Sequence, residues 1–448
     1  MKERNTTLDI VNGPLLKNLF TFAVPLMFSQ LLQILFNAAD TIVVGKFAGE
    51  QALAAVGATG SIVFLLTSLF NGLSTGSNVI IARCLGMGQE KRIEEAVHTS
   101  VFMALVCGVF LTAAGIILAP YLLRMMNTPE AIITRSTLYM RIYFAGVIFL
   151  LVYNFASAVL RSKGDTKRPL YYLLISGIIN VLLNLFTVIV LQWSVAGVAI
   201  ATVVSEAVSA ALVCMALVKA DDATHLDFRR LRAVKSIVLD IMRIGIPAGL
   251  SGVVFSLSNV VIQSSINSFN STAVVAGNAA AANIEGFVYI GMFAFSQATI
   301  TFTSQCLGAG RKDRIRPIMR STFVLSCISA LALGLLVWLL GPWLLRLYTD
   351  EQAVVDVGMI RTAWVARLLI LNGIMDIFIN SMRGMGSSAA PTAIMLAGIC
   401  GVRLTWIWLV FPRAGTLASI YMCYPVSWFI TSVIEYILWL HVYRKVCG

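Results

Sequence analysis

Residues 22–45 read FAVPLMFSQLLQILFNAADTIVVG. The stretch is apolar and long enough to cross a bilayer, which needs about 20 residues of helix. Pro25 lies near its start and Asp40 near its end. Between them Gln30, Gln33, Asn37 and Asp40 recur at spacings of 3, 4 and 3, which puts all four on one face of a helix. A carboxylate at the centre of a spanning helix costs roughly 2.5–3.5 kcal/mol on insertion scales. The stripe therefore faces protein or water rather than lipid. Asp40 is then either an ion or proton site or a hydrogen-bonding partner for a neighbouring helix.

The rest of the chain agrees with a membrane reading. Of 448 residues, 58% are hydrophobic and 12% charged, and the mean hydropathy is +0.87. Soluble domains are about 25% charged. The polar start MKERNTTLDI and the lack of an A-x-A-like exit predict that the first span is retained. The excess of 33 Lys+Arg over 21 Asp+Glu follows from the positive-inside rule and needs no nucleic acid. The eight cysteines form no C-x-x-C pair and read as small apolar residues.

Apolar runs of spanning length fall near 19–45, 56–82, 96–119, 138–160, 170–192, 195–218, 237–266, 274–305, 318–340, 360–382, 391–411 and 416–440. An all-α membrane protein of twelve spans is expected. With the N-terminus inside, 24 of the 33 basic residues, from Lys2 and Arg4 to Arg444 and Lys445, fall on one side. Both termini are therefore expected to be cytoplasmic. The longest connection, 219–236, reads as a linker between an N-terminal lobe, 1–218, and a C-terminal lobe, 237–448. It is expected to be solvated rather than bound to anionic lipid.

The two halves repeat. Pro25 aligns with Pro247, and 247 − 25 = 222. CLGMGQEKRI from Cys84 aligns with CLGAGRKDRI from Cys306, and Arg161, Gly164 and Pro169 align with Arg383, Gly386 and Pro391, all at the same offset of 222. Six spans per half make the halves parallel repeats about an axis along the membrane normal, an architecture suited to alternating access with substrate held near the midplane. The glycines of the paired L-G-x-G loops suit left-handed helix ends. No G-x-x-x-x-G-K-[ST] loop occurs, so ATP is not the expected energy source. Pro25 and Pro247 bend their helices, either as fixed kinks or as switches between straight and bent.

Further polar groups lie where lipid would forbid them. Asn180 and Asn184 are i, i+4 on the fifth span, and Thr202 and Glu206 are i, i+4 on the sixth. With Asp40 they make an oxygen-rich cage suited to Na⁺ or, with water excluded, to a proton. The alternative is plain interhelical hydrogen bonding. The second half has Ile262 at 40 + 222, so the acid is not repeated; it has instead Glu285, Asn372 and Asp376, and Asp376 repeats the place of Asn154. Glu285 and Asp376 are each either a second proton or substrate site or the partner of an arginine. No H-E-x-x-H, G-x-S-x-G or paired-Asp phosphoryl site occurs. No enzyme, cofactor or resident metal is expected.

With Pro25, Asp40, the L-G-x-G loops and the duplication together, the chain resembles the multidrug and toxic compound extrusion (MATE) family. The resemblance rests on NAADTIVVGKFAG, RCLGMGQ, RSKGDTKRP, INVLLN and RGMG. Its single first-span acid is similar to the DinF-like bacterial branch. The resemblance implies twelve helices in two lobes of a bacterial inner-membrane protein, expected to be a monomer, that exports amphipathic or cationic organic compounds against H⁺ or Na⁺. It places a cation site at Asp40, Asn180, Asn184 and Thr202. The family usually has Asp where Asn184 stands, and Glu206 is the candidate replacement. The runner-up is a lipid-linked saccharide flippase, for which Arg141, Arg361, Arg367 and Arg403 would hold phosphates.

Overall fold

A computed structural model describes residues 8–126 and 128–448; Lys2 and Arg4, counted above for orientation, lie outside them. The first half contains α1 (Leu15–Val43), α2 (Glu50–Met87), α3 (Glu90–Met125), α4 (Glu130–Ser162), α5 (Lys167–Leu185) and α6 (Ser194–Val218). The second contains α7 (Lys235–Asn267), α8 (Thr272–Gly308), α9 (Ile315–Leu339), α10 (Gly341–Arg346), α11 (Gln352–Trp364), α12 (Ile370–Gly384), α13 (Ala389–Met395), α14 (Val402–Leu409), α15 (Phe411–Ala414) and α16 (Leu417–Cys447). Among the described residues there is no strand, and eleven helical segments are long and apolar enough to cross a membrane. Large apolar side chains such as Phe110, Ile117, Leu339 and Trp408 stay exposed, as a bilayer solvent allows.

The repeat is written into the helix starts. Those of α2, α4 and α5 at 50, 130 and 167 recur at 272, 352 and 389, each 222 later. One expected span differs. The run 360–382 is not one helix but the end of α11 and most of α12, joined by a turn at 365–369. There the Arg367 amide donates to the Thr362 carbonyl (3.2 Å) and the Leu369 amide to the Ala366 carbonyl (3.4 Å) instead of four residues back. Gly334 on α9 admits the Ala366 carbonyl, since a Cβ there would stand 2.6 Å from that oxygen. The matching position, 334 − 222 = 112, is Thr112, and α4 runs unbroken.

The chain forms two compact units, Phe28–Gly249 and Ile10–Met27 with Leu250–Gly448. The boundary cuts α1 after Met27 and α7 after Gly249, in each case two residues beyond the helix proline. Within the first unit the start of α7 packs on α2 backbone to backbone. Gly72 and Gly76 of α2 face Gly245 and Gly249 of α7, where a Cβ on Gly245 would lie 2.6 Å from Leu73 Cα and one on Gly249 2.6 Å from Leu69 Cα. Two small-xxx-small stripes thus meet. Within the second unit the start of α1 is held on α8 by rings, Phe20 against Phe295 and Phe22 against Phe302, edge to face at 6.2 and 5.5 Å.

The segments before α1 and α7 are also clasped. In the second unit Arg314 donates to the Gly13 carbonyl (2.8 Å) and Arg311 to Asn12 Oδ1 (2.7 Å). In the first unit the 219–236 connection, expected to be a solvated linker, is docked on α3. Leu226 is fully buried, His98 Nε2 accepts from the Asp227 amide (3.1 Å), and Arg230 and Arg232 pair with Glu94 and Glu95 at 3.1 and 3.0 Å. Gly88 and Gly310 close their helices with φ of 64° and 71°, the left-handed ends expected of the L-G-x-G loops.

Candidate functional site

The first unit brings Asp40, Asn180 and Asn184 together. On α1, Phe36 and Asp40 are one turn apart. On α5, Gly177, Asn180 and Asn184 share a face by their spacing of 3 and 4. A Cβ on Gly177 would fall inside the Phe36 ring, so the missing side chain lets α1 lie close on α5. One turn further along α1 and two turns further along α5, Asn184 Nδ2 donates to Asp40 Oδ1, and it also reaches Asn180 Oδ1 at 3.2 Å. Both asparagines are buried.

Not every acceptor in these spans has a donor. Asn184 Oδ1 and Glu206 Oε2 are buried with no hydrogen-bond partner among the described residues. Tyr139 packs against the apolar group of Val43, Val188 and Val198 beside this cluster and stacks on Tyr143 at 6.3 Å. Thr202 is on the same helix as Glu206, but its hydroxyl donates to the Val198 carbonyl at 3.0 Å. Oxygen-rich and partly buried, the cluster can hold a cation or a proton. Sequence reasoning missed Tyr139, Tyr143 and Gly177; the i, i+4 tyrosine pair inside a span was the available signal.

The remaining candidates are dispersed. Gln33 and Asn37 are exposed, and Gln30 is half-buried. Asn154 donates to Asn71 Oδ1 at 2.8 Å. Glu285, fully within the second unit, is bound through both oxygens by Arg361 at 3.0 and 2.7 Å, and Arg361 also reaches Asn278. It is an arginine partner, one of its two expected roles. Asp376 accepts from the Tyr289 hydroxyl at 3.1 Å. Asn372 is buried, and its Oδ1 has no partner among the described residues. Arg141 and Arg367 are exposed, whereas Arg403 is buried. Pro25 and Pro247 lie inside α1 and α7.

A duplicated all-helical membrane fold with unpaired polar groups inside its spans defines a secondary transporter. The model of the MatE family matches residues 25–186 and 247–409, two segments that begin at the two prolines. The chain belongs to this family, which makes it a transporter of the multidrug-efflux type and not an enzyme. It is 27% identical over 442 residues, 96% of this chain and 94% of the relative, to the probable multidrug resistance protein YoeA of Bacillus subtilis. It is 25% identical over 393 residues, 87% of this chain and 84% of the relative, to the probable multidrug resistance protein NorM of Thermotoga maritima. Its fold matches a MOP superfamily transporter from Pyrococcus furiosus with a TM-score of 0.92 at 20% identity, covering 99% of each chain.

Proposed function

We propose that the chain exports small amphipathic or cationic organic compounds from a bacterial cytoplasm by antiport with H⁺ or Na⁺. It acts as a monomer in the inner membrane, with both termini cytoplasmic, and its lobes 1–218 and 237–448, joined by the 219–236 linker, alternate access to the cleft between them. Asp40 receives the coupling ion, assisted by Asn180, Asn184, Thr202 and Glu206. Pro25 and Pro247 allow α1 and α7 to bend. The chain sits with the DinF-like branch. For the ion to drive export it must bind one access state more tightly than the other.

The observation that carries this reading is the Asn184-to-Asp40 bond, with the buried Oδ1 of Asn184 itself left without a donor. The flippase reading has less support, because two of its four arginines are exposed and Arg361 is neutralised by Glu285. The test is uptake of a fluorescent cation into everted vesicles with Na⁺ and pH gradients imposed separately. Asp40→Asn is expected to abolish uptake against a gradient; wild-type uptake by this variant would sink the mechanism. If Glu206 replaces the missing family carboxylate, Glu206→Gln removes any Na⁺-dependent thermal stabilisation.

A further inference from the structure

The second unit contains a cluster of the opposite character. Arg403 on α14 is 1% exposed. Its Nε donates to Ser427 Oγ and its Nη1 to Ser258 Oγ, each at 3.0 Å. Its Nη2 is buried without an acceptor, and no carboxylate among the described residues lies within ion-pair distance. The guanidinium lies 4.4 Å from the Tyr424 ring centre, 5.6 Å from Phe255 and 5.8 Å from Trp428. Trp428 is also 1% exposed, and its indole N–H likewise has no acceptor. Two donors without acceptors therefore sit in one aromatic cage.

The charge count is equally one-sided. Tyr424 is flanked by both Arg403 and Arg361, at 4.4 and 5.5 Å. Glu285 uses both oxygens on Arg361, which leaves Arg403 uncompensated. An arginine does not discharge itself by losing a proton, and a charge inside a membrane protein finds a counter-charge or marks a ligand pathway. Ring faces and serine hydroxyls help solvate the guanidinium, but they leave Nη2 and the indole N–H unsatisfied.

We propose that Arg403 and Trp428 form a binding site for a small anionic group within the second unit. The group is a halide-sized inorganic anion or the carboxylate of an organic ligand. The guanidinium supplies the charge and one N–H, the indole supplies the second N–H, and Phe255 and Tyr424 supply apolar walls. The site is chemically the inverse of the acceptor-rich cluster at Asp40, and it stands independently of the export reading because binding is measured without transport.

The full chain, purified in nanodiscs, is heated at fixed pH, fixed Na⁺ and fixed ionic strength while sodium HEPES, a bulky sulfonate that is neither halide nor carboxylate, is replaced stepwise by sodium chloride or sodium benzoate. A ligand bound only by the folded state raises the unfolding temperature saturably. A rise with chloride identifies an inorganic anion, and a rise with benzoate alone identifies a carboxylate. Trp428→Phe, which keeps a ring and removes the N–H, is expected to weaken apparent affinity about tenfold, the worth of one buried hydrogen bond. Arg403→Lys is expected to weaken it further. No saturable rise with either anion overturns the proposal. So does a rise whose midpoint is unchanged in Trp428→Phe, which decides the matter even if Arg403→Lys does not fold.

Discussion

The Phe36 ring occupies the space that a side chain on Gly177 would fill. This contact sets the distance between α1 and α5 one turn before Asp40 on α1 and two turns before Asn184 on α5. Gly177→Ala forces the ring or the helix aside, and overpacking of this kind costs about 1–3 kcal/mol. The expected outcome is a lower unfolding temperature together with reduced ion-coupled uptake. Gly60, where an added Cβ meets nothing within 4 Å, is the control. Gly60→Ala is expected to leave both readouts unchanged or to raise stability through helix propensity.

Asn184→Asp replaces the group that donates to Asp40 with a second acceptor. Two adjacent carboxylates do not both stay ionised without a shared proton or a metal cation. The variant is expected to gain stabilisation from NaCl relative to choline chloride, beyond any gain in the wild type. Thermal unfolding in the two salts measures it, and equal shifts in the two proteins would refute the expectation.

The duplication and its offset were legible because prolines, glycines and basic clusters recur as letters. Asp40 and Asn184 were legible because polar residues stand out inside apolar runs. Gly177 was not, since its necessity comes from a ring 141 residues away (177 − 36). The turn at 365–369 was hidden because VARLL carries no proline or glycine; its cause, Gly334, lies on another helix. The docking of the linker was equally hidden, because Glu94 and Glu95 lie 136 and 137 residues from the Arg230 and Arg232 that pair with them.

Glu285 and Arg361 form a buried two-point ion pair. Removing one member leaves the other charge without compensation, at about 3–5 kcal/mol. Glu285→Gln is expected to destabilise the protein severely. The double variant Glu285→Gln with Arg361→Gln is expected to recover much of the loss, because no bare charge remains. A double-mutant cycle of unfolding temperatures tests this, and additive losses would show that the pair does not act as a unit.

The docked linker gives a pH dependence outside the membrane. Burial pushes the Asp222 carboxyl up, but hydrogen bonds from the Lys163 ammonium and from the Thr224 hydroxyl and amide outweigh it and hold the group below its ordinary value. A depressed folded-state pKa contributes stability that is fully present above the unfolded value, about 3.9, and is lost as pH falls through the folded one. Hydrogen exchange in 219–227, corrected for intrinsic rates, is expected to stay slow from neutral pH down to about 4 and to rise below it. Lys163→Ala is expected to speed exchange already at pH 7.

The prolines and the packing of their helices make a joint prediction. The start of α7 is fastened to α2 through Gly72, Gly76, Gly245 and Gly249, and Pro247 stands between the last two. Bending at Pro247 opens the turn back to the Arg243 carbonyl, so it carries Gly249 with it and has to loosen the contact with α2. The start of α1 is fastened by rings to α8 instead, a contact that can slide without a backbone clash. Pro247→Ala restores the missing amide donor and straightens α7, so it is expected to slow transport while leaving the Gly72–Gly249 contact in place. Gly72→Leu is expected to break that contact and to lower stability as well as transport. Paired uptake and unfolding measurements separate the two, and a Pro247→Ala protein with wild-type uptake would show that bending of α7 plays no part.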